Sequence, residues 1–306
     1  MTEPQLGMSY DTQRTLAAFA ERRRLAAFAR SDHYSFQGVT APHATDAFAS
    51  LAGLAAETSS VGLVVLVSPI TFRHPAVMAK NATTIDEISN GRFSLGVGTG
   101  WMELEHSEYG IEFFDTGTRF DRFEESLAYL HHAFGRRKGP FEGRHYSLLA
   151  EEVRPLPTGP LPIVVGGSGE RRTPRLAGTF ADEYNLTIRP RDEIVKRIER
   201  AREAAVAAGR EPSDIRVSVM TAVVAGHDGA AYERNLKRIA AADPFRRDAG
   251  TIAARYRERG LPIGDSDSVG EAVARLAEIG VDRIYLQHFG PHDEDLLDEA
   301  FDALGA

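Results

Sequence analysis

The stretch Val61-Gly-Leu-Val-Val-Leu-Val67 is apolar throughout apart from one glycine. A run of that length without polar alternation reads as a strand buried on both faces of a parallel sheet, so helices must cover it. Shorter runs of the same kind occur at residues 25–31, 92–98, 162–166, 183–188, 215–225 and 281–287. A short first strand at residues 6–9 brings the expected number to eight.

The segments between the runs have helical periodicity. Phe120, Phe123, Leu127, Leu130 and Phe134 fall on one stripe, while Asp121, Arg122, Glu124 and Glu125 fall off it, which makes one buried face and one wet face. Residues 75–89 read as a helix ended by Asn90-Gly91, since glycine accepts the left-handed cap conformation. Residues 268–279 open with Ser268-Val-Gly-Glu271, a capping-box pattern, and close at Gly280. A brief first helix is expected at residues 17–24. Strands alternating with helices imply an α/β fold with a parallel sheet, and eight repeats favour a closed (β/α)8 TIM barrel over an open doubly wound sheet. A barrel uses roughly 250 residues. The 306 present therefore read as one barrel domain over 1–306 with insertions near 135–161 and 243–265, the first containing a hairpin around residues 141–146.

Composition removes several functional classes. A net charge of −8 argues against nonspecific nucleic-acid binding, which depends on Lys and Arg neutralising phosphates. The absence of cysteine excludes disulfides, thiolate metal sites and a thiol nucleophile. No signal-peptide pattern or membrane-spanning run is visible, so the expectation is a cytoplasmic protein without membrane partners.

In a βα barrel the chemistry sits at the carboxyl ends of the strands. His33, His74, His106 and His288 all lie just beyond apolar runs. His33 is the preferred proton donor or acceptor, its ordinary pKa lying near working pH, with Asp32 or Ser31 available to orient it; a loop-holding histidine is the plainer alternative. None of His33, His106, His288 and Asp32 sits at an i, i+4 spacing with a glutamate as in a zincin helix, so no metal is expected. Gly166-Gly-Ser-Gly169, with Arg171 and Arg172 beside it, reads as a phosphate cradle at a helix amino end or as a simple tight turn. Gly96-Val-Gly-Thr-Gly100 leaves room for a flat ligand against backbone. Trp101 either walls that space or belongs to the core. Glu103 and Glu105 at i, i+2 say little about a glycosidase-like acid and base. The run His292-Asp-Glu-Asp295 reads as part of a solvated acidic helix.

Beyond these local readings, an ordered set of motifs resembles the luciferase-like monooxygenase family, and within it the branch of deazaflavin (F420)-dependent oxidoreductases. The set comprises Thr71-Phe-Arg-His-Pro75, Ala79-Lys80, Thr83-Thr-Ile-Asp86, Ser89-Asn-Gly-Arg92, Leu95-Gly-Val-Gly98, Gly100-Trp101, Glu105-His106, Val165-Gly-Gly167, Ala181-Asp-Glu-Tyr-Asn185 and Val281-Asp-Arg-Ile-Tyr-Leu-Gln-His288. The resemblance implies a bacterial-luciferase-like barrel, usually a homodimer, with a flavin or deazaflavin across the strand ends. It places Asp32 and His33 by the reactive ring, with His33 catalytic. It also implies a bulge with a non-prolyl cis peptide within Leu66, Val67 and Ser68 behind the ring. Gly98, Thr99 and Gly100 would pass beside the cofactor, and Val165, Gly166, Gly167 and Ser168 would meet its ribityl and phosphate portion. The chain departs from the family in its short amino end and in Met102, where relatives often carry Asn.

The expectation is therefore hydride transfer between F420 and a small organic substrate. An FMN-dependent monooxygenase using O2 is the alternative, and a non-catalytic flavin-binding or dimerisation protein is a further one.

Overall fold

A computed structural model describes residues 1–37, 39, 44–150, 153–289 and 293–305. In chain order the elements are α1 (Tyr10–Arg22), β1 (Ala27–Arg30), α2 (Ala47–Glu57), β2 (Gly62–Pro69), α3 (Pro75–Ser89), β3 (Phe93–Gly98), α4 (Glu103–Tyr109), α5 (Thr116–Ala133) and the hairpin β4 (Phe141–Glu142) and β5 (Ser147–Leu148). They continue with β6 (Ile163–Gly166), α6 (Arg172–Phe180), β7 (Glu183–Thr187), α7 (Arg191–Ala207), β8 (Arg216–Thr221), β9 (Val224–Gly226), α8 (Gly229–Ala241), α9 (Ala249–Glu258), β10 (Ile263–Asp265), α10 (Ser266–Glu278), β11 (Arg283–Leu286) and α11 (Glu294–Leu304).

Seven strands form one all-parallel sheet in the order β1-β2-β3-β6-β7-β8-β11. The sheet is nearly closed. Thr2 bridges Arg30 at the end of β1 and His288 beyond β11 in parallel sense: its amide donates to the Ala29 carbonyl at 2.8 Å, its own carbonyl accepts from Ser31 at 3.1 Å, and the Met1 carbonyl accepts from His288 at 3.0 Å. The expected strand at residues 6–9 is thus displaced to Thr2. Pro4–Leu6 forms a 3-10 turn instead, with Gly7 in a left-handed conformation, and Ser9 caps α1 by accepting from the Thr12 amide. A proline at the first turn position and a Ser N-cap favour those geometries over a strand. For the same reason α1 starts well before residue 17.

Other boundaries follow the sequence. Helix α3 spans Pro75–Ser89 and ends with Asn90 at φ 55°. Helix α10 begins earlier than Ser268 implied, because Asp265 is its N-cap and accepts from the Ser268 amide. The apolar run at 215–225 divides into β8 and β9, and β9 pairs with β10 outside the barrel sheet. The insertion at 243–265 therefore carries α9 and β10 rather than plain loop, and the one at 135–161 carries the β4–β5 hairpin, whose register runs from 141 to 148. His292 lies outside the described residues.

Two apolar layers result. The larger joins the outer strand faces to the helices, including Leu63, Val65, Leu95, Val97, Val165, Phe123, Leu127 and Leu130. A smaller cluster of Ala29, Val64, Leu66, Val164 and Tyr285, with Val67 and Met220 against it, comes from the alternate strand positions and fills the barrel. No helix among the described residues is long and apolar enough to cross a membrane.

Candidate active site

Three connections converge at the carboxyl ends: residues 31–37 after β1, 70–74 after β2 and 99–102 after β3. His33 Nδ1 lies 3.0 and 3.1 Å from the two carboxylate oxygens of Glu105, and the Tyr34 amide donates to the same carboxylate at 3.1 Å. Glu105 is only 1% exposed and sits in the first turn of α4. The helix is locked in place by His106, whose Nδ1 donates to the Met102 carbonyl at 2.8 Å while Nε2 meets the Thr71 hydroxyl at 2.7 Å. Burial works against a charged His33. The Glu105 hydrogen bond and charge, helped by Glu3 and Asp32, outweigh that and hold the His33 pKa above its ordinary value. The neighbouring carboxylate keeps the ring charged to a higher pH than an ordinary histidine and fixes which nitrogen faces Glu105. Among the described residues Nε2 has no partner.

Asp32 has a different partner. Its buried carboxylate meets Arg73 Nη1 at 2.5 Å and Nη2 at 3.4 Å. Arg73 also donates to Asp46 and, at 3.1 Å, to the Tyr34 hydroxyl, and its Nη1 lies 3.4 Å from Ser68 Oγ. Two carboxylates around one buried guanidinium tie both ends of the β1–α2 connection to the β2–α3 connection. The Tyr34 ring stacks on Phe72 with centroids 4.5 Å apart. Burial raises the Tyr34 pKa to about 12, with Arg73 opposing the shift, so the phenol stays protonated.

Strand β2 carries a register shift between Val65 and Ser68 and a cis Leu66-Val67 peptide, at the position the resemblance indicated. The bulge turns the Val67 side chain across the neighbouring strands. A Cβ on Gly98 would lie 2.9 Å from Val67 Cγ2, and one on Gly166 would lie 2.7 Å from Val67 Cγ1. Gly98 and Gly166 are thus matched to Val67 within the protein, and the three form one low shelf. Gly100 adopts φ +76°, and a Cβ there would meet Thr71 Oγ1 at 3.0 Å. Thr99 lies half-buried between these glycines. Ser68 is buried beside Arg73, whereas the Val165 side chain faces the helical layer.

After β6, the Gly167 amide donates to the Asn185 carbonyl at 3.3 Å. Among the described residues no acceptor pairs with the amides of Ser168, Gly169 and Glu170. Gly169 wraps closely over Thr173, whose Oγ1 would be 2.5 Å from a Cβ. Arg172, next to this turn in sequence, is held by Asp121 at 2.5 Å. The cation behind the turn is Arg197, only 4% exposed, which donates to the Ser168 carbonyl at 3.3 Å and the Glu193 carbonyl at 2.9 Å. Free amides ahead of α6 with a buried guanidinium behind them suit a phosphate.

Of the other histidines, His74 caps α3 by accepting from the Ala76 amide, and His288 takes part in barrel closure. Trp101 is 65% exposed at the mouth and so is not core. No group of three or more His, Asp or Glu side chains among the described residues could hold a metal ion.

Residues 1–283 match the luciferase-like monooxygenase family. The chain belongs to it. Among curated luciferase-like relatives, the pyrimidine monooxygenase RutA of Pseudomonas savastanoi pv. phaseolicola (strain 1448A / Race 6) is 35% identical over 132 residues, covering 42% of this chain and 36% of the relative. RutA of Yersinia enterocolitica serotype O:8 / biotype 1B is 31% identical over 179 residues, covering 56% and 47%. The matches thus span about a third to a half of these relatives. Solved structures with the same fold include an F420-dependent secondary alcohol dehydrogenase in complex with an F420-acetone adduct, with TM-score 0.80, 18% identity and coverage of 99% and 98%. A type II Baeyer-Villiger monooxygenase from Pseudomonas putida in complex with FMN superposes with TM-score 0.75 and 19% identity, covering 97% and 93%.

On this luciferase-like barrel, reading the sequence missed Glu105 as the partner of His33, Arg73 as the hub of the entrance loops, and Arg197. Glu105 and His33 are 72 residues apart, and no spacing rule joins them. Arg73 carried a weak signal through Asp32, because a buried carboxylate just beyond a strand requires a cation.

Proposed function

We propose that this member of the luciferase-like family is an F420-dependent oxidoreductase acting on a small organic carbonyl compound or the corresponding alcohol. The observation that carries the reading is the His33–Glu105 pair at the mouth, beside the shelf of Val67, Gly98 and Gly166. When bound, F420 exchanges a hydride with a substrate carbon. His33 Nε2, the nitrogen turned away from Glu105, would hold the proton exchanged with the substrate oxygen, and Glu105 would keep the ring oriented and charged. The backbone of Gly98, Thr99 and Gly100 would lie along the deazaflavin, with Leu66, Val67 and Ser68 behind it and Asp32 held close by Arg73. The turn at Gly166, Gly167 and Ser168, following Val165, would take the phosphate portion through its free amides, with Arg197, itself paired with Glu193, holding the Ser168 carbonyl behind it.

An FMN-dependent monooxygenase is the second reading, favoured by the 31–35% identity to enzymes named as pyrimidine monooxygenases. Both cofactors share a ribityl phosphate, so the turn after β6 does not choose between them. Absorbance titrations of the purified chain with F420 and with FMN discriminate. Saturable F420 binding with FMN weaker by about a hundredfold is expected, a difference of roughly 2.7 kcal/mol. Tight FMN binding with oxygen consumption on reduction would replace this reading with the second, and failure of both to bind at tens of micromolar would remove both.

A further inference from the structure

We infer that the substrate is a flat, uncharged, ring-bearing carbonyl compound, selected by an aromatic wall in which Phe245 is the specificity-determining residue; this rests on the function proposed above. Three aromatic rings from three distant parts of the chain gather beside His33. Trp101 stands edge-on to His33 with centroids 5.8 Å apart, Phe36 stands edge-on to His33 at 6.1 Å, Phe36 and Trp101 are 6.4 Å apart, and Phe245 tilts against Phe36 at 5.9 Å. Trp101 is mostly exposed, and Phe36 and Phe245 are half-buried. The wall therefore keeps contiguous apolar ring surface open at the mouth, and it is such a patch, not a single exposed ring, that marks a binding site.

Phe245 is held there by a built device. The buried Asp243 carboxylate accepts from Arg247 through its amide at 2.8 Å, Nε at 3.0 Å and Nη2 at 2.5 Å. The Arg247 guanidinium in turn lies over the Phe245 ring, 4.9 Å from its centroid. This turn lies in the connection between α8 and α9, which the β/α repeat itself does not require, and its position against the loop after β1 brings it to the substrate side of the mouth. Edge-to-face and offset ring geometries favour a planar conjugated partner over a puckered ring of equal size. The carboxylates beside the wall are already matched: Asp32 and Asp46 by Arg73, Asp243 by Arg247, Glu105 by His33. The side chains of Phe36, Trp101 and Phe245 carry no charge, so a charged substrate would lose hydration against them, whereas a neutral carbonyl could meet His33 Nε2.

Trp101 is the only tryptophan of the chain, so fluorescence excited selectively at tryptophan reports this wall alone. Acetophenone and cyclohexyl methyl ketone share the carbonyl and ring size but differ in planarity. With the chain saturated by whichever of F420 and FMN binds it, or alone if neither does, acetophenone should quench Trp101 saturably, in contrast to its linear quenching of free N-acetyltryptophanamide. Cyclohexyl methyl ketone should compete about tenfold more weakly. Phe245→Ala should reduce that preference several-fold while the cofactor titration and the thermal unfolding midpoint stay as in the parent. Equal affinity for the two ketones, no saturation by acetophenone to tens of millimolar, or an undiminished preference in Phe245→Ala would each overturn the inference. None of those results bears on the cofactor titration, so the two proposals fail separately.

Discussion

At the residue scale the site depends on two carboxylates with unlike partners. Glu105 raises the His33 pKa, so the ring is protonated below that value and loses its proton as pH rises through it. The proposed carbonyl reduction should therefore fall on the alkaline side with an apparent pKa above the ordinary histidine value of about 6.5. Glu105→Gln keeps the hydrogen-bond geometry but removes the charge and should move that limb to lower pH. The same downward shift should appear in the NMR titration of the His33 ring without any turnover. An unmoved His33 titration in Glu105→Gln would mean that the pair is structural only. The stability contribution of the pair has the same sign: it is complete below the unfolded pKa and is lost as pH climbs through the raised folded value. Asp32 answers to Arg73 instead. Arg73→Ala would leave a carboxylate that is 1% exposed without its cation and should cost about 3–5 kcal/mol in urea unfolding. Arg73→Lys should recover only part of this, because an ammonium cannot serve Asp32, Asp46 and Tyr34 from one plane.

At the element scale β2 shows what could be read in advance. Its uninterrupted apolar run marked a strand buried on both faces, and the glycines ending β3 and β6 marked close approach. What they approach could not be read, because that depends on the bulge turning Val67 across two neighbouring strands, a consequence of register. Gly98→Ala or Gly166→Ala should each cost about 1–3 kcal/mol through overpacking on Val67. Val67→Ala removes the opposing Cγ atoms, so the Gly98→Ala/Val67→Ala double variant should be more stable than the sum of its parts, a coupling that a denaturation cycle measures. Strict additivity would show that the two side chains do not compete for one space. The same limit explains α4 and the segment at 243–265. Helical period and caps are local, so elements and most boundaries were legible, whereas the meetings of Glu105 with His33 and of Phe245 with Phe36 depend on the barrel bringing distant connections to one rim.

At the scale of the whole molecule, seven strands enclose a barrel whose closing seam is one residue wide. Thr2 donates through its amide, and at 3.2 Å through its hydroxyl, to the Ala29 carbonyl. The seam continues outward where α11 meets α1: Arg23 pairs with Asp298 at 2.9 Å and Asp302 at 2.7 Å, and Arg22 with Glu294 at 2.6 Å. Those ion pairs are largely solvent-facing and contribute little individually, so the backbone bridge should carry most of the closure. Thr2→Ala removes only the hydroxyl bond and should cost about 1 kcal/mol. Thr2→Pro removes the amide donor as well and strands the Ala29 carbonyl inside the barrel wall, for roughly 2 kcal/mol more. Because the loss is confined to the seam, amide exchange at Ser31 and His288 should accelerate in Thr2→Pro far more than exchange in β3 or β6, which lie across the barrel from it. Uniform acceleration at all of these amides would mean that the bridge holds the whole barrel and not its seam alone.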